Sequence, residues 1–334
     1  MAGEAQAAPA VAVDAAPLVA LDQVSMVFTT HKGMFRSGAV TAVRGVDIAI
    51  DRGETLALVG ESGSGKTTVG RMSLRLLEPT AGTVRFAGRD ITHEPESHLG
   101  WLRRQAAIVF QDPFSSLNPY MTVSELIAEP LLIDGVRDAE VRNATVRAAM
   151  EAVDLRPVNR FLHRYPTAMS GGQRQRVGIA RALVREPVYI VADEPVSMVD
   201  ASSRVEILNL LQGIQQSRGV AFLFITHDIA SARHFADRIA VMVHGAIVET
   251  GAAAQIIDHP VHPYTRALIA AVPEPDPANR FRRRATERWQ DAALASVHPA
   301  CPHQGGDSDP PALLEITGDP GHLVACHVAP PTAR

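Results

Sequence analysis

Cysteine, basic charge and long apolar runs are all scarce in this sequence, and each shortage excludes a class of protein. Two cysteines among 334 residues, Cys301 and Cys326, are too few for a disulfide framework and fit a reducing compartment. The formal net charge is −4, so the basic excess of a domain built around a nucleic-acid backbone is missing. No run approaches the roughly 18 consecutive apolar residues that cross a bilayer. Leu56 to Gly60 is apolar but ends at once in glycines. The first residues lack the basic start of a secretory signal and include Glu4 and Asp14, so residues 1–17 are expected to be a disordered Ala/Pro leader. Any membrane role must therefore borrow its membrane from other chains. No internal repeat is present. What remains is an ordinary globular balance, 46% apolar and 20% charged, long enough for one large or two modest domains.

Short apolar runs bounded by glycine alternate with helical patterns, which predicts a layered α/β fold. Val46, Ile48 and Ile50 alternate with polar or small residues as a half-buried strand does. Thr55 to Val59 reads as a buried strand, followed by a glycine-rich turn and a helix from about Lys66 that stops before Pro79. Thr83 to Phe86 reads as another strand. From Thr122 to about Tyr165 the pattern is helical, and an inserted helical subdomain is expected over about 112–185. Strands return at Val188–Ala192, Val220–Ile225 and Ile239–Val243, with His244-Gly245 as a hairpin turn. Pro273, Pro275 and Pro277 mark a break before a tail rich in Pro, Gly and His.

Gly60-Glu61-Ser62-Gly63-Ser64-Gly65-Lys66-Thr67, followed by Thr68, fits the phosphate-loop pattern G-x-x-x-x-G-K-[ST]. Wrapping an anion in backbone requires glycines that leave N–H groups uncovered, and the next helix aims its positive end at the same place. Lys66 would reach the β- and γ-phosphates, and the Thr67 hydroxyl would bind Mg²⁺. Val188 to Glu194 reads as a buried strand ending in two carboxylates. Asp193 could hold the Mg²⁺ shell from the side opposite Thr67, and Glu194 could orient and polarise a water for in-line attack.

Met169-Ser170-Gly171-Gly172-Gln173 is a capped helix start with two exposed N–H donors, a second anion site. It resembles the Leu-Ser-Gly-Gly-Gln signature of the ABC ATPases, and the chain is similar to that family over about 18–271. The resemblance implies a P-loop NTPase of ABC type, with a RecA-like core, an antiparallel β subdomain and an inserted α-helical subdomain. It also implies ATP and Mg²⁺ as ligands, and a head-to-tail dimer in which Ser170, Gly171, Gly172 and Gln173 close over the ATP held by a second ATPase subunit, the same or a sister chain. Gln111 resembles the Q-loop glutamine, touching Mg²⁺ and the attacking water. His227 resembles the switch histidine on the γ-phosphate, and Asp200 the D-loop aspartate. Phe28 sits where the family places an aromatic against adenine; a core aromatic at a strand end is the alternative.

The run from Val109 to Pro119 is similar to the long Q-loop of oligopeptide and dipeptide uptake ATPases. His262-Pro263-Tyr264-Thr265-Arg266-Ala267-Leu268 resembles the start of their C-terminal extension. The division implied is an ATPase domain over 18–260 and an extension over 261–334. The partners implied are two transmembrane permease subunits and an extracytoplasmic substrate-binding protein, with the chain peripheral on the cytoplasmic face of the cell membrane and no nucleic acid. Peptide ranks first as cargo; the stretches Val196 to Ser202 and Asp228 to Arg233 also look like the oligosaccharide branch, and nickel importers belong to the same group. A soluble ABC ATPase acting on nucleic acid or ribosomes is the more distant alternative. Family members with four cysteines in the extension can ligate an iron–sulfur cluster. Here Cys301 and Cys326 match two of them, while Ala295 and Ser308 stand at the others, so such a cluster cannot form. A zinc site drawing on His298, His303, His322 and His327 is the alternative to a degenerate tail.

Overall fold

The computed structural model describes residues 16–31, 37–272, 313–316 and 318–325. Two long strands open the chain, β1 (Val19–His31) and β2 (Ser37–Ile50). The strand β3 (Thr55–Val59) and helix α1 (Lys66–Ser73) follow, then β4 (Ala81–Phe86) and β5 (Arg89–Asp90). Helix α2 (Gly100–Gln105) leads into β6 (Ala106–Val109). A helical stretch comes next: α3 (Pro113–Ser116), α4 (Val123–Ile133), α5 (Ala139–Ala152), α6 (Val158–Phe161) and α7 (Gly171–Leu183). The chain returns through β7 (Tyr189–Asp193), α8 (Ala201–Arg218), β8 (Ala221–Thr226), α9 (Ile229–Phe235) and the hairpin β9 (Arg238–Val243) with β10 (Ala246–Ala252). It closes with α10 (Ala253–Asp258), α11 (Pro263–Ala270) and the short strands β11 (Leu314–Glu315) and β12 (Leu323–Val324).

Two sheets result. An antiparallel one has the order β2-β1-β4-β5, and a mixed one the order β11-β12-β10-β9-β3-β8-β7-β6. In the mixed sheet β9, β3, β8, β7 and β6 run parallel, as strands joined by helical crossovers must, while the β9–β10 hairpin and β12 are antiparallel. The central strands are buried along their whole length, and their side chains alternate between two cores. Leu56, Leu58, Val191, Leu223 and Ile225 face the antiparallel sheet and α1. Ala57, Val59, Ala192, Phe222 and Phe224 face the core shared with α7, α8 and α9. A strand with no polar face can therefore belong to neither layer alone, and it holds both together.

The helical stretch between β6 and β7 has its starts written in the sequence. Thr122 and Glu125 form a capping box at α4, and Asp138 accepts from Glu140 N and Val141 N at the start of α5. At the 244–245 turn both residues take positive φ, 44° for His244 and 89° for Gly245, the twist a tight hairpin requires. Helix α1 is shorter than the pattern before Pro79 suggests. It ends at Ser73 because Arg75 takes a left-handed φ of 52° and its buried guanidinium turns back to Ile91 O at 2.7 Å and Glu94 O at 3.1 Å. Strands β1 and β6 were not expected from the sequence. Among the described residues no helix is long and apolar enough to cross a membrane. The leader expected over 1–17 falls outside the described residues up to residue 15.

Candidate functional site

The loop 60–67 joins the end of the central strand β3 to the start of α1, where the sequence places it. Two of its glycines are required by space. A Cβ on Gly60 would lie 2.2 Å from Met242 O, and one on Gly65 2.3 Å from Ala42 O, with Gly65 also at φ +103°. The backbone of the β9 end and of β2 thus presses the loop into shape from outside. No side chain caps the start of α1, and no acidic residue stands in its first turn, so its positive end is left for an anion. Lys66 folds back over the loop: Nζ donates to Gly60 O at 2.8 Å and Glu61 O at 2.7 Å. Burial lowers its pKa, opposed by the charges of Glu194, Asp193 and Glu61. Ser62 is exposed, Ser64 buried, and Thr68 half-buried in the first turn of α1.

Asp193, at the end of β7, accepts from Thr67 Oγ1 at 3.0 Å across 126 residues of sequence. Burial raises the Asp193 pKa, the Thr67 hydrogen bond lowers it, and the adjacent Glu194 charge raises it further. Glu194 has a left-handed backbone, φ 46°, uncommon for a residue with a side chain. That conformation is pinned on both sides. Glu194 N donates to Ile225 O at 2.9 Å, while Ser197 donates to Glu194 O through its amide at 3.2 Å and its hydroxyl at 3.0 Å. The carboxylate so aimed accepts from Gln111 Nε2 at 2.9 Å and lies 3.3 Å from His227 Nδ1, both through Oε2. Gln111, Asp193, Glu194 and His227 thus converge from the ends of β6, β7 and β8 beside the loop. The sequence did not single out Ser197; its position in Asp-Glu-Pro-Val-Ser, three residues after Glu194, is a possible turn signal.

The segment 169–173 stands elsewhere. Ser170 caps α7, its Oγ accepting from Gln173 N at 3.3 Å while Gln173 Oε1 accepts from Ser170 N at 3.2 Å, a reciprocal box. Among the described residues no hydrogen bond joins this segment to the loop 60–67. Its glycines have a packing reason as well. A Cβ on Gly172 would meet Ser203 Oγ at 3.0 Å, and one on Gly171 would lie 3.3 Å from Met198 O. Asp200 caps α8, accepting from Ser202 Oγ at 2.6 Å, Ser203 N at 2.9 Å and Ser203 Oγ at 3.0 Å; these bonds, the Ser202 one foremost, hold its pKa down to about 2. Helix α7 is tied in turn to the segment after Gln111, with the Arg174 guanidinium 3.9 Å over the Phe114 ring and Arg181 Nη1 donating to Ser116 O at 3.2 Å. Phe28 is on β1 and 39% exposed, so it is no core aromatic.

Of the tail residues, Ala295, His298, Cys301, His303, Ser308, Cys326 and His327 lie outside the described residues. His322 lies within them, fully buried, and gives both ring nitrogens to carboxylates: Nε2 to Glu249 Oε1 at 2.8 Å and Nδ1 to Asp319 Oδ2 at 2.7 Å. Among the described residues no group of three or more His, Cys, Asp or Glu is placed to hold a metal ion.

Comparison with known proteins agrees with this geometry. Residues 43–197 match the family model described as ABC transporter, and residues 248–304 the one described as oligopeptide/dipeptide transporter, C-terminal region. A putative peptide import ATP-binding protein of Brucella ovis is 46% identical over 251 residues, covering 75% of this chain and 78% of that protein. A putative oligopeptide transport ATP-binding protein of Bacillus subtilis, YkfD, is 41% identical over 322 residues, 92% of this chain and 94% of its own. Among solved structures, the dimeric post-hydrolysis state of the ATP-binding cassette MJ0796, bound to ADP and Pi, superposes with a TM-score of 0.63 at 30% identity, covering 70% of this chain and 98% of that one.

Proposed function

The chain belongs to the ATP-binding subunits of ABC transporters, and on that premise we propose that it hydrolyses ATP to power the import of peptides. The observation that carries the catalytic part is the convergence of Gln111, Asp193, Glu194 and His227 on a loop whose Lys66 and open helix start are built for phosphates. The peptide assignment is supported by the match of 248–304 to the oligopeptide/dipeptide extension and by the names of the similar proteins.

In this reading ATP enters with its phosphates over α1, and Lys66 Nζ leaves the carbonyls of Gly60 and Glu61 for the β- and γ-phosphates. Thr67 and Asp193 supply hard oxygen donors 3.0 Å apart, a set that suits Mg²⁺. Mg²⁺ would neutralise phosphate charge there, and a cation beside Asp193 would offset the burial that now raises its pKa. Glu194 orients and deprotonates the attacking water, Gln111 and His227 flank it, and His227 also reaches the γ-phosphate. Exposed Phe28 stacks on adenine. Ser170, Gly171, Gly172 and Gln173 act in trans, as does Asp200: the start of α7, with Ser170 turning from its cap to the nucleotide, closes over the γ-phosphate of ATP held by a second ATPase subunit. Closure of that dimer moves α7, which the Arg174–Phe114 and Arg181–Ser116 contacts tie to the segment after Gln111. That segment hands the motion to two permeases on the cytoplasmic face of the membrane, which receive cargo from a binding protein. The domain division at 260/261 and the helical subdomain over about 112–185 belong to the same reading.

The test is ATP turnover by the chain assembled with its permeases in proteoliposomes. Hydrolysis that rises with short peptides and their binding protein supports the reading; a rise with oligosaccharides instead reassigns the cargo, and no ATP turnover at all overturns it.

A further inference from the structure

Helix α11 reaches back to the phosphate loop. The hydroxyl of Tyr264 accepts a hydrogen bond from Glu61 N at 3.1 Å, across 203 residues of sequence. The same peptide unit, between Gly60 and Glu61, has its carbonyl bound to Lys66 Nζ at 2.8 Å. One peptide plane is therefore held from both sides, by the loop's own lysine and by a tyrosine from the C-terminal part of the chain. The Tyr264 ring packs against the core below the loop. Its hydroxyl stays neutral, because burial pushes the phenol up to about 12.

The segment that delivers Tyr264 is itself anchored. Glu249, on β10 and fully buried, accepts from Val261 N at 2.8 Å and His262 N at 3.0 Å, and His262 Nδ1 accepts from Tyr264 N at 3.2 Å. The Glu249 carboxylate is held in turn by His322, and His322 by Asp319. A continuous set of polar contacts, buried at His322–Glu249 and more open toward Tyr264, runs from 319–322 to the edge of the loop.

We propose that Tyr264 is a positioning residue for ATP binding, fixing the Gly60–Glu61 peptide so that the loop keeps its cradle shape when Lys66 turns to the phosphates. This rests on the reading of 60–67 as the ATP loop. Two restraints hold that peptide before ATP enters, and Tyr264 is the one that remains afterwards. Its loss leaves the loop to be ordered by the nucleotide itself, which weakens binding of ATP in the ground state and the transition state alike.

The experiment compares Tyr264→Phe, Lys66→Ala and Arg266→Ala in the full chain. ATP affinity is read by displacement of a fluorescent ATP analogue, and turnover on the complex with its permeases. Tyr264→Phe keeps the ring and its packing, so its melting temperature stays with the wild type. Its Kd and KM for ATP rise about fivefold, the worth of one net hydrogen bond, with kcat at saturating ATP within about twofold of wild type. Arg266 lies on the same helix and, among the described residues, its guanidinium donates to Pro260 O and makes no contact with the loop, so Arg266→Ala leaves ATP affinity unchanged. Unchanged affinity in Tyr264→Phe, a fall in kcat without a rise in KM, or an equal loss in Arg266→Ala would each overturn the proposal. If Lys66→Ala also binds ATP normally, the phosphate-loop reading fails; if Lys66→Ala loses ATP while Tyr264→Phe keeps it, only the role of Tyr264 fails.

Discussion

Gln111 Nε2 donates to Glu194 Oε2 at 2.9 Å, so the ends of β6 and β7 meet on one carboxylate oxygen. His227 Nδ1 stands 3.3 Å from that same oxygen. The group read as the base is thus held by two partners that can each exchange it for a water and a phosphate, and its strained backbone allows it few other directions.

Glu194→Gln keeps the shape and removes the basicity. ATP turnover is expected to fall by about 10²–10⁴-fold, the usual worth of a general base, while ATP affinity holds and an ATP-bound dimer accumulates. Turnover at the wild-type rate, measured by phosphate release, rules out the role of Glu194.

Lys66→Ala removes the one ammonium on the loop. A charged hydrogen-bonding group facing phosphate is worth enough to predict a loss of ATP affinity of about 10- to 100-fold. Equilibrium binding on the purified chain measures it, and wild-type affinity contradicts the loop assignment.

Ser170→Ala separates the two anion sites. The lost cap should cost about 1 kcal/mol, a fall in melting temperature of a few degrees, roughly 2–4 °C. ATP binding to a lone protomer stays normal, but the ATP-dependent dimer seen in a Glu194→Gln background disappears. Persistence of that dimer by light scattering argues against action in trans.

A pH dependence follows from His322. Burial alone would lower its pKa, but the hydrogen bonds and charges of Glu249 and Asp319 outweigh burial and raise it above 6.5. A histidine with a raised folded-state pKa contributes stability in full below its unfolded pKa and loses it as pH rises through the folded one. As pH rises from below 6.5 through the raised folded-state value, the melting temperature of the wild type should fall more steeply than that of His322→Gln. Equal slopes for the two proteins refute this.

Much of the architecture is legible along the chain because its signals are local. Thr55–Val59, apolar throughout and closed by glycine, forms β3 with the expected ends, and His244-Gly245 forms the expected turn. The four residues of β6, Ala-Ala-Ile-Val, carry too short an apolar run to separate from the helix before them. The thirteen residues of β1 shift register against β2 at three places, which spoils the alternation a reader looks for. The phosphate loop and the two carboxylates after β7 could be read because each is contiguous. The Tyr264–Glu61 contact could not, since nothing near either residue records a partner 203 positions away. Nor does the sequence disclose that Glu194 is locked in place by Ser197.

The fit of Gly172 against Ser203 bears on any attempt to build hybrids between sister ATPases. A junction placed between α7 and α8 would set this glycine against a foreign neighbour, and any side chain larger than serine at that point would push the two helix starts apart. Residues 170–203 should therefore be transplanted as one block.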